Sequence, residues 1–169
     1  PCLWYQLDAG DGDVATFFYF LGLGGKRAAP LVRRPLPLFT PEYAAGLPAF
    51  SRHFFRELTS RLKPPCRLVF DNYQEVPAES RLHEVLREGL DEFPPGIHLA
   101  VLSRADPPPE YARHRANQAL ALLPWEELKL TDAEAADFAR LRGADDAPSA
   151  LLDRARGWAA GLVLLAANL

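Results

Sequence analysis

The sequence predicts an α/β layered domain built on a mostly parallel sheet, followed by a small all-helical region. Three observations carry this. Two short runs, Leu68-Val69-Phe70 and Ile97-His98-Leu99-Ala100-Val101-Leu102, are continuously apolar rather than alternating, as strands buried in a parallel sheet must be. An amphipathic segment with Leu82, Val85, Leu86 and Leu90 on one face separates them, giving strand, helix, strand. From about residue 125 the extended runs stop and helical signals take over.

Taken in order, residues 3–7 form a first strand candidate, closed by the turn-rich stretch Asp8 to Asp13. Asp13 is placed to cap a helix over Ala15 to Leu21, which Gly22 ends. Three prolines and three glycines make residues 22–40 a loop, and Thr40-Pro41 then opens a helix to Leu62 that bends at Pro48. Pro64-Pro65 stops it before the strand ending in Asp71. After Pro107-Pro108-Pro109 a short helix around Tyr111 to Arg115 leads to Ala119–Leu123, a further strand candidate. Thr131-Asp132-Ala133-Glu134 is a capping box, so a helix runs from Asp132 to Leu141, with two more near Ala150 to Ala155 and from Gly157 onward. The domains are 1–124, the α/β core, and 125–169, the helical part.

At 169 residues the chain can bury one full core or one domain and part of another. The net charge is −3 with basic residues scattered, so the electrostatic footprint of a nucleic-acid-binding surface is missing. No apolar run of ~18 residues is free of charge and no secretory signal opens the chain, which makes the cytoplasm the expected location and a membrane no partner. Cys2 and Cys66 are too few for a disulfide framework or a zinc site and read as buried thiols. Trp4, Trp125 and Trp158 read as core or domain-junction residues. The chain has no methionine, opens straight into a strand and closes on an uncapped apolar helix; both ends read as those of an excised piece.

Chemistry concentrates at two strand ends. Asp71 closes a buried strand at its carboxyl end, where open α/β sheets bind ligands, and where phosphate-loop nucleoside triphosphatases hold magnesium through water. Acids also end strands simply to cap the next turn. Ser103-Arg104 ends the next strand, and an arginine there can fork onto a terminal phosphate or form an ordinary ion pair, for instance with Asp106. Gly24-Gly25-Lys26 is the only candidate for a phosphate loop, and it fails: Phe20 and Arg27 stand where glycine and a hydroxyl belong, and no strand precedes it. His53, His83, His98 and His114 lack metal-ligand spacing, and no Ser, His and Asp arrangement stands out.

An ordered set of motifs spans nearly the whole chain: Trp4-Tyr5-Gln6-Leu7-Asp8 with Asp11 and Asp13, Leu68 to Tyr73, Leu99 to Arg104, Leu128 to Thr131 before Glu134-Ala135, and Gly157 to Leu162. In that order it resembles the MalT-like, large LuxR-type transcription regulators of the STAND class of ATPases. The resemblance implies a P-loop NTPase-like core whose first strand and phosphate loop lie upstream of Trp4, and the start of a helical lid from about residue 125. It implies ATP and Mg2+ as cofactors, Asp71 as the Walker B acid and magnesium residue, and Ser103 and Arg104 as nucleotide-facing. The family's second acid is Asn72 here, a position that would be catalytic beside Asp71 but cannot take a proton from water. ATP or ADP would then act as a switch ligand between core and lid, with hydrolysis slow; the alternative is an interaction scaffold that keeps the fold without the nucleotide. DNA would be bound only through a domain outside this chain. A sheet lacking an interior strand would have a gap and unpaired edges, so self-association or rearrangement is expected.

Overall fold

The structure is a computed structural model and describes residues 1–141 and 154–166. The chain forms two compact units, Pro1–Ala119 and Leu120–Leu169.

In the first unit three strands, β1 (Cys2–Gln6), β2 (Cys66–Asp71) and β3 (Ile97–Val101), pair in parallel in the order β1-β2-β3. Register sets Leu3, Leu68 and Leu99 in one row across the sheet, and Trp4, Val69 and Ala100 in the next. Both crossovers step the same way across the sheet, so right-handed connections put their helices on one face. Those helices are α1 (Val14–Ala28), α2 (Leu47–Thr59) and α3 (Leu82–Leu90), and this is the P-loop NTPase-like α/β arrangement expected from the sequence. Among the described residues the strands are contiguous, with no gap among them, and the outer edges of β1 and β3 carry no partner strand.

The core is aromatic. Phe17 and Phe18 of α1, Phe54 and Phe55 of α2, and Phe70 of β2 are fully buried. Their rings meet edge-on or tilted, Phe17 against Phe70 at 5.7 Å and Phe18 against Phe54 at 4.8 Å. Burying each such side chain is worth ~1.5–3 kcal/mol. On the other face of the sheet Trp4 is 59% exposed, so it is not a core residue; Trp125 and Trp158 are also about half exposed. Cys66 is buried as expected, whereas Cys2 is exposed.

The acids after β1 are structural. Asp8 caps a 3-10 turn over Ala9–Gly12, accepting the Gly10 N–H at 2.7 Å. Asp11, itself buried, accepts the Tyr5 hydroxyl at 2.5 Å and the Asp8 N–H at 2.9 Å. Asp13 caps α1 through the Ala15 and Thr16 N–H groups and also accepts the Thr16 hydroxyl at 2.8 Å; that hydroxyl bond first, and the two N–H bonds after it, hold its carboxyl below the ordinary range.

Three segments differ from the expected elements. Helix α1 does not end at Gly22 but continues to Ala28, taking Gly24-Gly25-Lys26 out of any loop. The continuation is packed: Gly25 is buried, and a Cβ there would lie 2.5 Å from Leu58 Cδ1, a side-chain end that would have to shift. The 41–62 segment is a 3-10 turn (Pro41–Gly46) followed by α2, with Pro48 in the first helical turn, where its missing N–H costs nothing. Residues Ala119–Leu123 are not a strand; the run has no β-branched residue and Leu123 is 67% exposed.

A short helix α4 (Ala112–Ala116) closes the first unit. The second holds α5 (Trp125–Leu128), α6 (Asp132–Leu141) and α7 (Ala159–Ala166). The capping box forms as read: Thr131 N–H donates to Glu134 Oε2 at 2.8 Å and Glu134 N–H to Thr131 Oγ1 at 3.3 Å. Gly157, with φ +77°, accepts the Leu130 N–H at 2.9 Å, and a Cβ there would sit 2.5 Å from the Leu130 carbonyl oxygen. Ala135, Ala155 and Leu162 form its small core. Most of the expected helix near 150–155 lies outside the described residues.

Candidate functional site

Because β2 and β3 run in parallel, their carboxyl ends lie at one edge of the sheet, and the two candidate segments leave from there. Asp71, the last residue of β2, is half-buried opposite Gln6, and its carbonyl accepts the Leu7 N–H at 2.9 Å. Its carboxylate Oδ1 accepts the Asn72 N–H, also at 2.9 Å. Asn72 sits in the left-handed region, φ 59° and ψ 38°, which asparagine adopts more readily than most residues. That conformation gives Asn72 a backbone role of its own. A tight 3-10 turn, Tyr73–Glu75, follows.

This turn is joined to the end of β3. The Tyr73 N–H donates to the Leu102 carbonyl at 3.0 Å, and the Leu102 N–H to the Phe70 carbonyl at 2.8 Å. The Arg104 N–H donates to Gln74 Oε1 at 3.2 Å, and the Arg104 guanidinium pairs with Glu75 Oε1 at 3.1 Å. Gln74 Nε2 reaches Glu75 Oε1 at 3.2 Å and Asn72 Oδ1 at 3.4 Å. Asn72 and Arg104 are therefore joined through Gln74 and Glu75, two residues the sequence reading did not single out, and Asp71 is tied to this network by the bond its carboxylate accepts from the Asn72 N–H. The partner of Arg104 is Glu75 rather than Asp106. Ser103 turns to its own loop, its Oγ accepting the Ala105 N–H at 3.1 Å.

Inside the same turn lies a second, buried network. The Tyr73 hydroxyl is 2.6 Å from His83 Nδ1 and 2.6 Å from the Tyr111 hydroxyl, and His83 Nε2 is 3.0 Å from the Pro77 carbonyl. A carbonyl only accepts, so in the neutral ring Nε2 carries the proton. Nδ1 then accepts from Tyr73, and Tyr73 in turn accepts from Tyr111. Burial pushes the Tyr73 phenol far above its ordinary value, and that of Tyr111 up to about 12.

Counted formally, Asp71 and Glu75 against Arg104 leave the exposed network one negative charge, which suits a cation or a cation-carried anion better than a bare anion. Among the described residues no group of three His, Cys, Asp or Glu could hold a metal by itself. Magnesium commonly binds through one or two carboxylates plus substrate phosphates, and Asp71 offers one such carboxylate. A shallow hollow of about 490 Å³ lies elsewhere, between Gly12–Val14 and Pro77–Arg81. Among the described residues no helix is long and apolar enough to cross a membrane.

The sequence is 30% identical over 169 residues to the HTH-type transcriptional regulator MalT of Serratia proteamaculans, and 29% identical over 168 residues to that of Yersinia enterocolitica. The same protein of Cronobacter sakazakii is 30% identical over 173 residues. Each alignment covers 96% of this chain and 18% of the relative, so the chain spans less than a fifth of the proteins it matches. No family model matches the chain.

Proposed function

The chain is MalT-like over 96% of its length, and on that premise we propose that it is the nucleotide-dependent signal-transduction module of a bacterial transcription regulator, working in the cytoplasm. ATP with Mg2+ binds at the carboxyl edge of the sheet and acts as the switch ligand between the core and the helical residues from 125 onward. The single observation that supports this most is that Asp71, at the end of β2, and Arg104, just beyond the end of the adjacent parallel strand β3, are linked through Asn72, Gln74 and Glu75 at that edge.

The residues have distinct tasks. Asp71 would hold the nucleotide's magnesium, and that ion would supply charge neutralisation to the phosphates. Arg104 forks onto the terminal phosphate, and the Ser103 hydroxyl can turn from Ala105 to a phosphate oxygen. Asn72 offers an amide in place of a carboxylate, so water lacks a general base there and hydrolysis is slow. Bound ATP then shifts the balance between two states of the regulator by its unequal affinity for them. The glycine-rich loop belongs to the strand upstream of residue 1, which would pair with a free sheet edge; DNA contact and self-association belong to the full-length regulator.

A second reading is an interaction scaffold that has lost the nucleotide. It is favoured by the Glu75 carboxylate already holding Arg104, and by the backbone role of Asn72. Binding of fluorescent ATP with magnesium separates the two, measured on this chain and on one extended upstream through the preceding strand and loop. Binding confined to the extended chain, and weakened at least about tenfold by Asp71→Ala, is the expected result. Absence of binding in both forms would establish the scaffold.

A further inference from the structure

Arg104 is not waiting empty-handed. Its side chain is 81% exposed, yet the guanidinium is paired with Glu75, whose own side chain is 46% exposed. We propose that Glu75 is the resting counter-ion of Arg104 and a positioning residue for it, so that a phosphate ligand binds at this edge by exchanging its oxygens for the Glu75 carboxylate. This rests on reading Arg104 as phosphate-facing.

Three features favour exchange over a fixed ion pair. The contact is a single N–H to Oε1 bond at 3.1 Å, whereas a phosphate offers the planar guanidinium a forked pair of bonds. The pair is solvent-accessible, where ion pairs contribute little, so opening it costs little. Glu75 is also not orphaned when Arg104 leaves, because Gln74 Nε2 remains on the same Oε1 at 3.2 Å and the rest of the carboxylate faces water.

The backbone need not move for this. Gln74 holds the Arg104 N–H, and the Tyr73 N–H holds the Leu102 carbonyl, while the Tyr73 side chain is locked among His83 and Tyr111. Only the Arg104 side chain has to swing. Glu75 thereby does two things: it keeps the guanidinium beside the end of β2, and its charge opposes any anion that arrives. Removing the charge while keeping the shape, as in Glu75→Gln, releases Arg104 and takes the formal charge of Asp71, residue 75 and Arg104 from −1 to zero.

The test is a titration of the chain extended upstream through the preceding strand and loop with magnesium tripolyphosphate, followed by NMR at the Arg104 Nε–H and at the Asn72 amide. In Glu75→Gln the Arg104 Nε–H signal moves before any ligand is added, and the tripolyphosphate affinity rises about two- to fivefold. Glu75→Asp, which restores the charge, returns the affinity toward that of the parent chain. Arg104→Ala removes the response. If Glu75→Gln leaves the affinity unchanged while Arg104→Ala abolishes it, exchange is wrong and the phosphate site stands. If the three substitutions leave the titration alike, or no chain responds, exchange and the assignment of Arg104 both fall.

Discussion

Two polar networks grow from the same three-residue turn and differ in one respect. Tyr73 points into the core and joins His83 and Tyr111, all three nearly buried, while Gln74 and Glu75 point outward and join Arg104 in water. The inner network cannot trade partners, because a buried hydroxyl or imidazole nitrogen that loses its bond has nothing to replace it. The outer one can trade each bond for water or a ligand at little cost. A turn built this way holds its backbone still and leaves its surface chemistry free, which is what a site that must respond to a ligand requires.

The largest effect should come from cutting the inner network at its middle. Tyr73→Phe keeps the ring but deprives His83 Nδ1 of its donor and Tyr111 of its acceptor, leaving two buried groups unpaired. A loss of about 1–3 kcal/mol in urea unfolding is expected. A loss below about 0.5 kcal/mol would erase the contrast between the two networks.

Alkaline pH should strain the same network next. In the folded chain burial raises the phenols of Tyr73 and Tyr111, the latter to about 12 from an ordinary 10.0, and the Tyr5 phenol, half-buried and bonded to the Asp11 carboxylate, is raised too. A group with a raised folded pKa lends stability that is whole below the unfolded value and is lost as pH climbs toward the folded one. Unfolding titrations should therefore be flat up to about pH 9 and fall from pH 10 to 12, and Tyr111→Phe should make that fall shallower. A stability that stays level across this window would mean that these hydroxyls are already open to water.

Much of the fold was legible because its signals are local. The apolar runs before Asp71 and Arg104, the cap at Asp13 and the Thr131–Glu134 box each say what they do within a few residues. What was not legible depended on distant partners. Gly22, Gly24 and Gly25 read as a helix end until Leu58 and Leu3 are seen lying against the last two, and no local rule leaves Trp4 exposed. Ala119–Leu123 is apolar enough for a strand but, among the described strands, has no partner to pair with. At the site, Asp71 and Arg104 could be found by their place after buried strands. Gln74 and Glu75 could not, since their meaning comes from an arginine about thirty residues away.

The smallest effect should come from the outer network, and its smallness is the point. Arg104→Ala and Glu75→Ala each remove an exposed ion pair, and Arg104→Ala leaves the backbone bond from residue 104 to Gln74 in place. Folding stability should change by no more than about 0.5 kcal/mol in either variant, measured by urea unfolding beside Tyr73→Phe. The double variant should equal the sum of the two singles within about 0.5 kcal/mol, because the coupling between exposed side chains is weak. A penalty above about 1 kcal/mol for Arg104→Ala alone would mean that the pair with Glu75 helps hold the end of β3 in place. Arg104 would then be a structural tie, and its exposure would no longer argue that it is free to meet a ligand.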